Sequence, residues 1–373
     1  MQGQSNIKSS KLNDYKISFF ANWNQICSSF LISFIKKQQY ESVFILVDNK
    51  IKDKHLDLLL NPLKKSDITV NFLPIVSSEQ RKTLSTCQLI YKKMLSLNLG
   101  RKTLFINFGG GVISDLGGFI ASTYKRGIDF INLPTSLLAM VDASIGGKLG
   151  IDCLENKNSI GLFVNPKLVL INLEFLKTLP KRELLNGWVE MIKHGLIDDR
   201  VFFNHILGKK PTDFTKQELI KDIQWSCEIK YKYVRNDEYD LKERQLLNFG
   251  HTIGHALESY FLSSRTKLKH GEAVLWGMLI ESRISNLMQV LSDQDYELIR
   301  EKIESFGLKK INLEKLDFNK LQSFLFNDKK NQQSKIIFNL IKKIGDIEYG
   351  QTLDLSILKK ALKNLKLKKY DEN

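Results

Sequence analysis

Cysteine is scarce: the chain has four, Cys27, Cys87, Cys153 and Cys227, and none forms a CxxC pair with another. Neither a disulfide framework nor a cysteine-ligated zinc site is suggested, and a reducing compartment fits. Arginine is scarce too, at ten of the 56 basic residues, the rest being lysine. Proteins that read base edges or grip phosphates bidentately favour the planar guanidinium. The formal net charge of +15 therefore reads as solvated lysine surface, not as a nucleic-acid stripe, and its clusters are short, as at Lys64-Lys65, Lys209-Lys210 and Lys342-Lys343. Long apolar runs are missing as well. The first twenty residues carry polar and charged groups where a signal peptide needs an apolar core, and Phe30–Ile35 is too short to span a bilayer. A cytoplasmic protein without membrane or nucleic-acid partners is expected, whose positive field attracts an anionic substrate.

At 373 residues the chain favours two domains, because single cores rarely grow past a few hundred residues. With 43% hydrophobic and 26% charged residues it has ample material for both. The first half alternates short apolar runs with helical patterns, the sign of parallel strands and crossover helices. Strands are expected at Ser42–Val47, Ile68–Leu73, Thr103–Asn107, Phe130–Leu133 and Leu168–Ile171. Ser77-Ser78-Glu79-Gln80 offers an N-cap and a capping-box glutamine for a crossover helix ending near Leu99-Gly100. After about Pro180 strand-like runs nearly vanish and periods near 3.6 dominate, over Arg182–Ile197, Lys216–Val234, His251–Leu262 and Gly271–Leu287. The boundary is placed there, giving domains 1–180 and 181–373. A small hairpin over Lys335–Leu340 and Gly345–Gly350 and a last helix around Leu355–Leu365 complete the reading.

The strand Thr103–Asn107 runs into Phe108-Gly109-Gly110-Gly111-Val112-Ile113-Ser114-Asp115 and then an apparent helix. A strand, a glycine turn and a helix start present backbone N–H groups to an anion such as a pyrophosphate. The GxGxxG fingerprint is not met, since Ser114 stands where a third glycine belongs, and an ordinary tight turn remains the alternative. A second glycine turn, Ser144-Ile145-Gly146-Gly147-Lys148, follows Pro134–Asp142, and Lys157-Asn158 adds a cation and an amide nine residues later. These suit a phosphorylated substrate, against the alternative of a loop bearing solubilising lysines.

The strongest local signal is Asn248-Phe249-Gly250-His251-Thr252-Ile253-Gly254-His255. Histidines four apart share one helix face and can point into one cleft, against the alternative, commoner in an arbitrary sequence, of two polar-face or satisfied core histidines. His270 precedes Gly271-Glu272, and Glu190 with Lys193 and His194 sits on the preceding helical segment. Two imidazoles and a carboxylate with an open position make a catalytic zinc-type site, and Glu190, His251 and His270 are the favoured ligands. His55 and His205 are left with structural roles.

These motifs, together with Pro134-Thr135, Leu137-Leu138-Ala139, Asp142, Glu190-Met191-Ile192-Lys193 and His270-Gly271-Glu272, resemble the 3-dehydroquinate synthase family of sugar phosphate cyclases, from about Val47 to Gly345. The resemblance implies an α/β, Rossmann-like N-terminal domain binding NAD and a mainly α-helical C-terminal domain binding metal and substrate, usually in a homodimer. It implies metal ligands Glu190, His251 and His270, holding zinc or cobalt. Substrate and catalytic contacts would be Asp142, Lys148, Lys157, Asn158, Lys193, Lys230, Arg244, Asn248, His255 and Lys335, with Arg126 at the phosphate end. Cofactor contacts would be Asp48, Glu79, Lys82, Gly110, Gly111, Asp115, Thr135, Ser136 and Thr178, with Lys148 and Lys157 close by. The chain departs from the family pattern at Ser114, Ser136, Leu149 and Leu154-Glu155-Asn156, and none of these removes a charged contact.

The activity implied is closure of 3-deoxy-arabino-heptulosonate 7-phosphate to 3-dehydroquinate with loss of phosphate, a step of the shikimate pathway to the aromatic amino acids. The rivals are a cyclase making a cyclitol from a substrate without the carboxylate, and a metal-dependent NAD alcohol dehydrogenase. Arg244, Lys230 and Lys335 argue against the first; release of reduced cofactor would mark the second.

Overall fold

The computed structural model describes residues 4–5, 15–154, 156–208, 215–262, 267–307, 311–313, 316–326, 336–363 and 365. The chain forms two compact units: Met1–Gly187 with Thr215–Tyr231, and Trp188–Phe214 with Lys232–Asn373.

The first unit runs β1 (Gln4–Ser5), β2 (Lys16–Phe20), α1 (Gln25–Lys37), β3 (Ser42–Asp48), α2 (Asn49–Lys64), β4 (Thr69–Ile75), α3 (Leu84–Ser96), β5 (Thr103–Gly109), α4 (Gly111–Thr123) and β6 (Phe130–Pro134). A π-helical turn at Ala139–Ala143, then β7 (Lys148–Cys153), β8 (Asn156–Phe163) and β9 (Leu168–Asn172) follow. Seven strands form one sheet in the order β1-β2-β9-β6-β5-β3-β4, parallel except for β1. Every residue of β5, β6 and β9 is buried, which is why these strands read as unbroken apolar runs: a parallel sheet is covered on both faces by its crossover helices. β3 and β5 are neighbours, but the chain extends the sheet from β3 towards β4 and from β5 towards β6 and β9. Such a reversal opens a crevice at the carboxyl ends of the strands.

Two parts of this unit differ from expectation. β2 and the antiparallel pair β7–β8 were not anticipated. The helix expected from Ser77 begins instead at Leu84, capped by the Thr83 hydroxyl, which accepts from the Thr86 N–H at 3.4 Å. Glu79–Arg81 makes one 3-10 turn and Lys82 leaves helical geometry at ψ 61°. The cause is docking onto β7: the Lys82 carbonyl accepts from the Asp152 N–H at 2.7 Å, while the Lys82 side chain is buried.

The remainder is helical: α5 (Lys181–Asp198), α6 (Arg200–Leu207), α7 (Lys216–Asn236), α8 (His251–Phe261), α9 (His270–Leu287), α10 (Asp293–Gly307), α11 (Phe318–Phe326) and α12 (Leu355–Lys363), with a hairpin of β10 (Ile337–Lys343) and β11 (Asp346–Thr352) before the last helix. α5 and α7 run through both units. In the second unit α8 and α9 pack very closely, because glycines remove the side chains between them. A Cβ on Gly277 would lie 1.9 Å from the Gly250 carbonyl oxygen, and one on Gly254 would lie 3.1 Å from the Val274 Cα. Among the described residues no helix is long and apolar enough to cross a membrane.

Candidate active site

In the second unit Glu190, His251 and His270 converge. Glu190 lies within α5 and is fully buried; His251 and His270 are the first residues of α8 and α9. The Nε2 atom of each imidazole is 3.6 Å from Glu190 Oε1, and one ligand atom from each residue can be chosen so that all lie within 4.8 Å of one another. Two ligands each about 2.0–2.1 Å from a tetrahedral ion sit roughly 3.4 Å apart, so these separations suit the edges of one coordination shell. The outer ring nitrogens have partners of their own. His251 Nδ1 is 3.2 Å from the Phe249 carbonyl, and His270 Nδ1 is 3.5 Å from Glu258 Oε2. In His251 a proton on Nδ1 leaves the Nε2 lone pair facing Glu190, the tautomer a metal requires; His270 gives up its Nε2 proton when an ion binds.

Both Glu190 oxygens are buried, and the Lys193 ammonium, one turn along α5, is paired with Oε2. Burial works against ionising Glu190, but Lys193 and the two histidines overcome it and hold the carboxyl well below its usual range. Burial, Lys193 and the neighbouring imidazoles keep His251 neutral. Burial also opposes protonation of His270, yet Glu190 and Glu258 outweigh it and lift its pKa to about 10. A buried, ionised carboxylate with two imidazole nitrogens aimed at it is a donor set that fits a divalent cation.

Around it, His255 lies one turn further along α8, its ring centroid 5.4 Å from that of His251 and 5.8 Å from that of His270. Arg244 is buried; its guanidinium donates to the Glu238 carbonyl at 2.6 Å and its N–H to Asp237. Asn248 ends the 3-10 turn before Gly250, and its side-chain amide nitrogen is buried without a hydrogen-bond partner among the described residues. Lys335 lies outside the described residues.

In the first unit the residues expected at the cofactor collect at the carboxyl ends of neighbouring strands. Asp48 ends β3 and caps α2 by accepting from the Lys50 N–H at 3.0 Å. Gly110 and Gly111 follow β5, with Gly110 as N-cap of α4. Thr135 and Ser136 follow β6; Thr135 donates its N–H to the Gly109 carbonyl at 2.9 Å. Thr178 closes the 3-10 turn after β9, and its hydroxyl is 2.7 Å from His55 Nε2. Asp48 and the glycine turn thus flank the point where the strand order reverses.

Lys82, from the segment after β4, reaches Asp115 at 2.6 Å and lies 4.0 Å from Glu79. Its ammonium also contacts the Asn158 side-chain oxygen. Asn158, expected with Lys148 and Lys157 at a phosphate, has its own N–H held by Asp152 at 2.7 Å, which brings its side chain to Lys82. Lys148 and Lys157 lie exposed on the β7–β8 pair. Lys230 is buried and bonds Asp142 twice, at the carboxylate (2.6 Å) and at the backbone carbonyl (2.5 Å). Arg126 is exposed in the turn after the C-terminus of α4. The thirteen residues of α4, at about 1.5 Å each, separate it by roughly 20 Å from the glycine turn.

Residues 72–186 match the family described as 3-dehydroquinate synthase N-terminal and residues 187–331 that described as 3-dehydroquinate synthase C-terminal. The 3-dehydroquinate synthase of Clostridium beijerinckii is 40% identical over 306 residues, 82% of this chain and 87% of that protein. Among solved structures, a 2-deoxy-scyllo-inosose synthase complexed with carbaglucose-6-phosphate, NAD+ and Co2+ superimposes with a TM-score of 0.84 at 23% identity, covering 97% of this chain and 99% of that one. A 2-epi-5-epi-valiolone synthase from Streptomyces hygroscopicus subsp. jinggangensis, with NAD+ and Zn2+ bound, gives 0.83 at 22% identity over the same shares. At such identity these two structures speak for the fold, a parallel sheet with a helix-rich remainder. The family matches cover most of the chain in order, and with the bacterial relative they show that this chain belongs to the 3-dehydroquinate synthase family.

Proposed function

We infer that the chain is a 3-dehydroquinate synthase, converting 3-deoxy-arabino-heptulosonate 7-phosphate to 3-dehydroquinate and phosphate in aromatic amino acid biosynthesis, with NAD and Zn2+ or Co2+ as cofactors. The observation that carries the reading is the convergence of Glu190, His251 and His270 in a chain whose relatives carry that name. When bound, NAD takes up and returns a hydride, and the ion stabilises negative charge on a substrate oxygen.

The chain's own residues supply the rest. Glu190, His251 and His270 hold the ion. His255, beside the two ligand imidazoles, moves protons, and Lys193 fixes the orientation of Glu190. Arg244, Lys230 and Lys335 take the substrate carboxylate, and Asp142 aims Lys230. Lys148, Lys157 and Arg126 with Asn158 take the phosphate; Asn248 completes the substrate contacts. Asp48, Gly110, Gly111, Thr135, Ser136 and Thr178 line the cofactor crevice, with Lys148 and Lys157 close by, and Lys82, anchored by Glu79 and Asp115, shapes its floor. Clustered cations suit a substrate carrying both a carboxylate and a phosphate. A cytoplasmic homodimer belongs to the same reading.

Phosphate release from 3-deoxy-arabino-heptulosonate 7-phosphate tests it. A chelator should stop release, and Zn2+ or Co2+ should restore it. His251→Ala should lose bound metal and turnover together; a variant with normal metal content and full activity would remove His251 from the ligands. Steady accumulation of reduced nicotinamide during turnover would mark a dehydrogenase instead.

A further inference from the structure

Helix α8 begins without a cap of its own. Gly250 holds the N-cap position in left-handed geometry (φ 78°) and has no side chain to offer. The missing acceptor comes from the neighbouring helix. Glu281 of α9, 1% exposed, receives the Gly250 N–H at 2.7 Å on Oε2 and the Ile253 N–H at 3.1 Å on Oε1. His251 lies between those two donors in the chain. One turn earlier on the same face of α9, Gly277 clears the space in which the Gly250 carbonyl rests. One turn later, the Ser285 hydroxyl donates to the Glu281 carbonyl at 2.9 Å and accepts from the Ile341 N–H at 3.0 Å, tying this part of α9 to β10.

A carboxylate suits this place as an amide does not. It is acceptor-only, so both oxygens can face N–H donors at once, whereas a glutamine would turn its NH2 group against one of them. Its charge also offsets the positive end of the α8 dipole, which otherwise opposes a cation bound at the first residue of that helix. A buried charge is costly to keep, and here it is spent on the turn that presents a ligand.

We propose that Glu281 is a positioning residue of the metal centre, gripping the first turn of α8 so that the His251 imidazole faces Glu190 and His270, and easing the binding of a cation there. It touches no ligand atom. The proposal rests on the metal reading of Glu190, His251 and His270.

Apo-protein is titrated with Co2+ and with Zn2+ alone against a chromophoric chelator, and the visible d–d absorption of the Co2+ form is recorded. Glu281→Gln is expected to weaken binding about 10–100-fold, the usual effect of losing an outer-shell partner, and to alter the Co2+ spectrum. Ser285→Ala, a change in the same helix that leaves the carboxylate in place, is expected to melt earlier and bind the ion as wild type does. Wild-type affinity and spectrum in Glu281→Gln, or an equal loss in Ser285→Ala, overturns the proposal. If His251→Ala also keeps wild-type affinity, the ligand assignment itself is at fault. Should Glu281→Gln not fold, Glu281→Asp, one methylene too short to reach both donors, is judged by the same criteria.

Discussion

His251 and His270 each turn Nδ1 to an outer partner and Nε2 to the shared carboxylate, so both rings are oriented before any ion arrives. A second polar cluster is as tightly determined. Lys82 is 2% exposed and its ammonium lies 2.6 Å from Asp115. Burial disfavours that ammonium, but the charges of Asp115 and Glu79 prevail and raise its pKa above the ordinary lysine value. Burial likewise pushes Asp115 up, against the pull of Lys82, to about 6. A folded pKa above the unfolded one means stability that is complete below the unfolded value near ~3.9 and is lost as pH rises through the folded value. Lys82→Met removes the pull and raises Asp115 further, so more stability is lost above that window. Urea denaturation at pH 8 should find the variant weaker by about 3 kcal/mol, at the low end for a broken buried pair, and the deficit should shrink near pH 4.5. Equal deficits at both pH values would discount the Asp115 charge. Lys82 and Asp115 were named together only through the family resemblance, and Asn158 was placed with a phosphate; nothing in the sequence itself joins the three. They lie far apart in the chain, and only the docking of the Lys82 segment on β7 joins them. Glu281 left even less trace, an acidic residue directly after the apolar run Ala273–Ile280.

α8 and α9 show what glycine contributes to an element pair. Gly277→Ala places a methyl group 1.9 Å from the Gly250 carbonyl oxygen, and backbone cannot rotate away as a side chain can. Overpacking of this kind costs about 1–3 kcal/mol, and each kcal/mol lowers the melting temperature by roughly 2–4 °C in a unit of this size. The variant should melt earlier and hold less metal, because the displaced turn carries His251. Gly100→Ala, whose Cβ meets nothing within 4 Å, should change neither by a measurable amount; matching losses would mean that close approach is not the cause. β3, β5, β6 and β9 were legible because burial on both faces imposes an unbroken apolar run; the half-exposed β4 and the β10–β11 hairpin were legible as well. The β7–β8 pair was not legible: Lys148, Asp152, Lys157 and Asn158 with Gly150 and Gly161 spell a polar loop, and β8 is largely exposed. β2 was hidden because its few apolar residues follow a long polar stretch. The HxxxH spacing marked the histidine face of α8, although such a pair by itself is more often structural than metal-binding.

Across the whole molecule the charge is +15, carried mainly by lysines, and the proposed substrate is an anion. Long-range attraction acts over a Debye length, about 10 Å at 0.1 M salt and 3 Å at 1 M. Raising the salt should therefore raise KM for the sugar phosphate several-fold while kcat stays within about twofold, since steering acts on encounter and not on chemistry. A KM indifferent to salt would confine electrostatics to the site itself. Both proposed histidine ligands open their helices, and a helix opens most readily at its first turn, where N–H groups lack intrahelical partners. An ion clasping two such beginnings to the middle of α5 would also lock the fold. By mass action, free metal at a hundred times its Kd adds about 2.7 kcal/mol to the native state. In cells short of that metal the protein would then be degraded faster as well as idle, and its abundance would follow the supply.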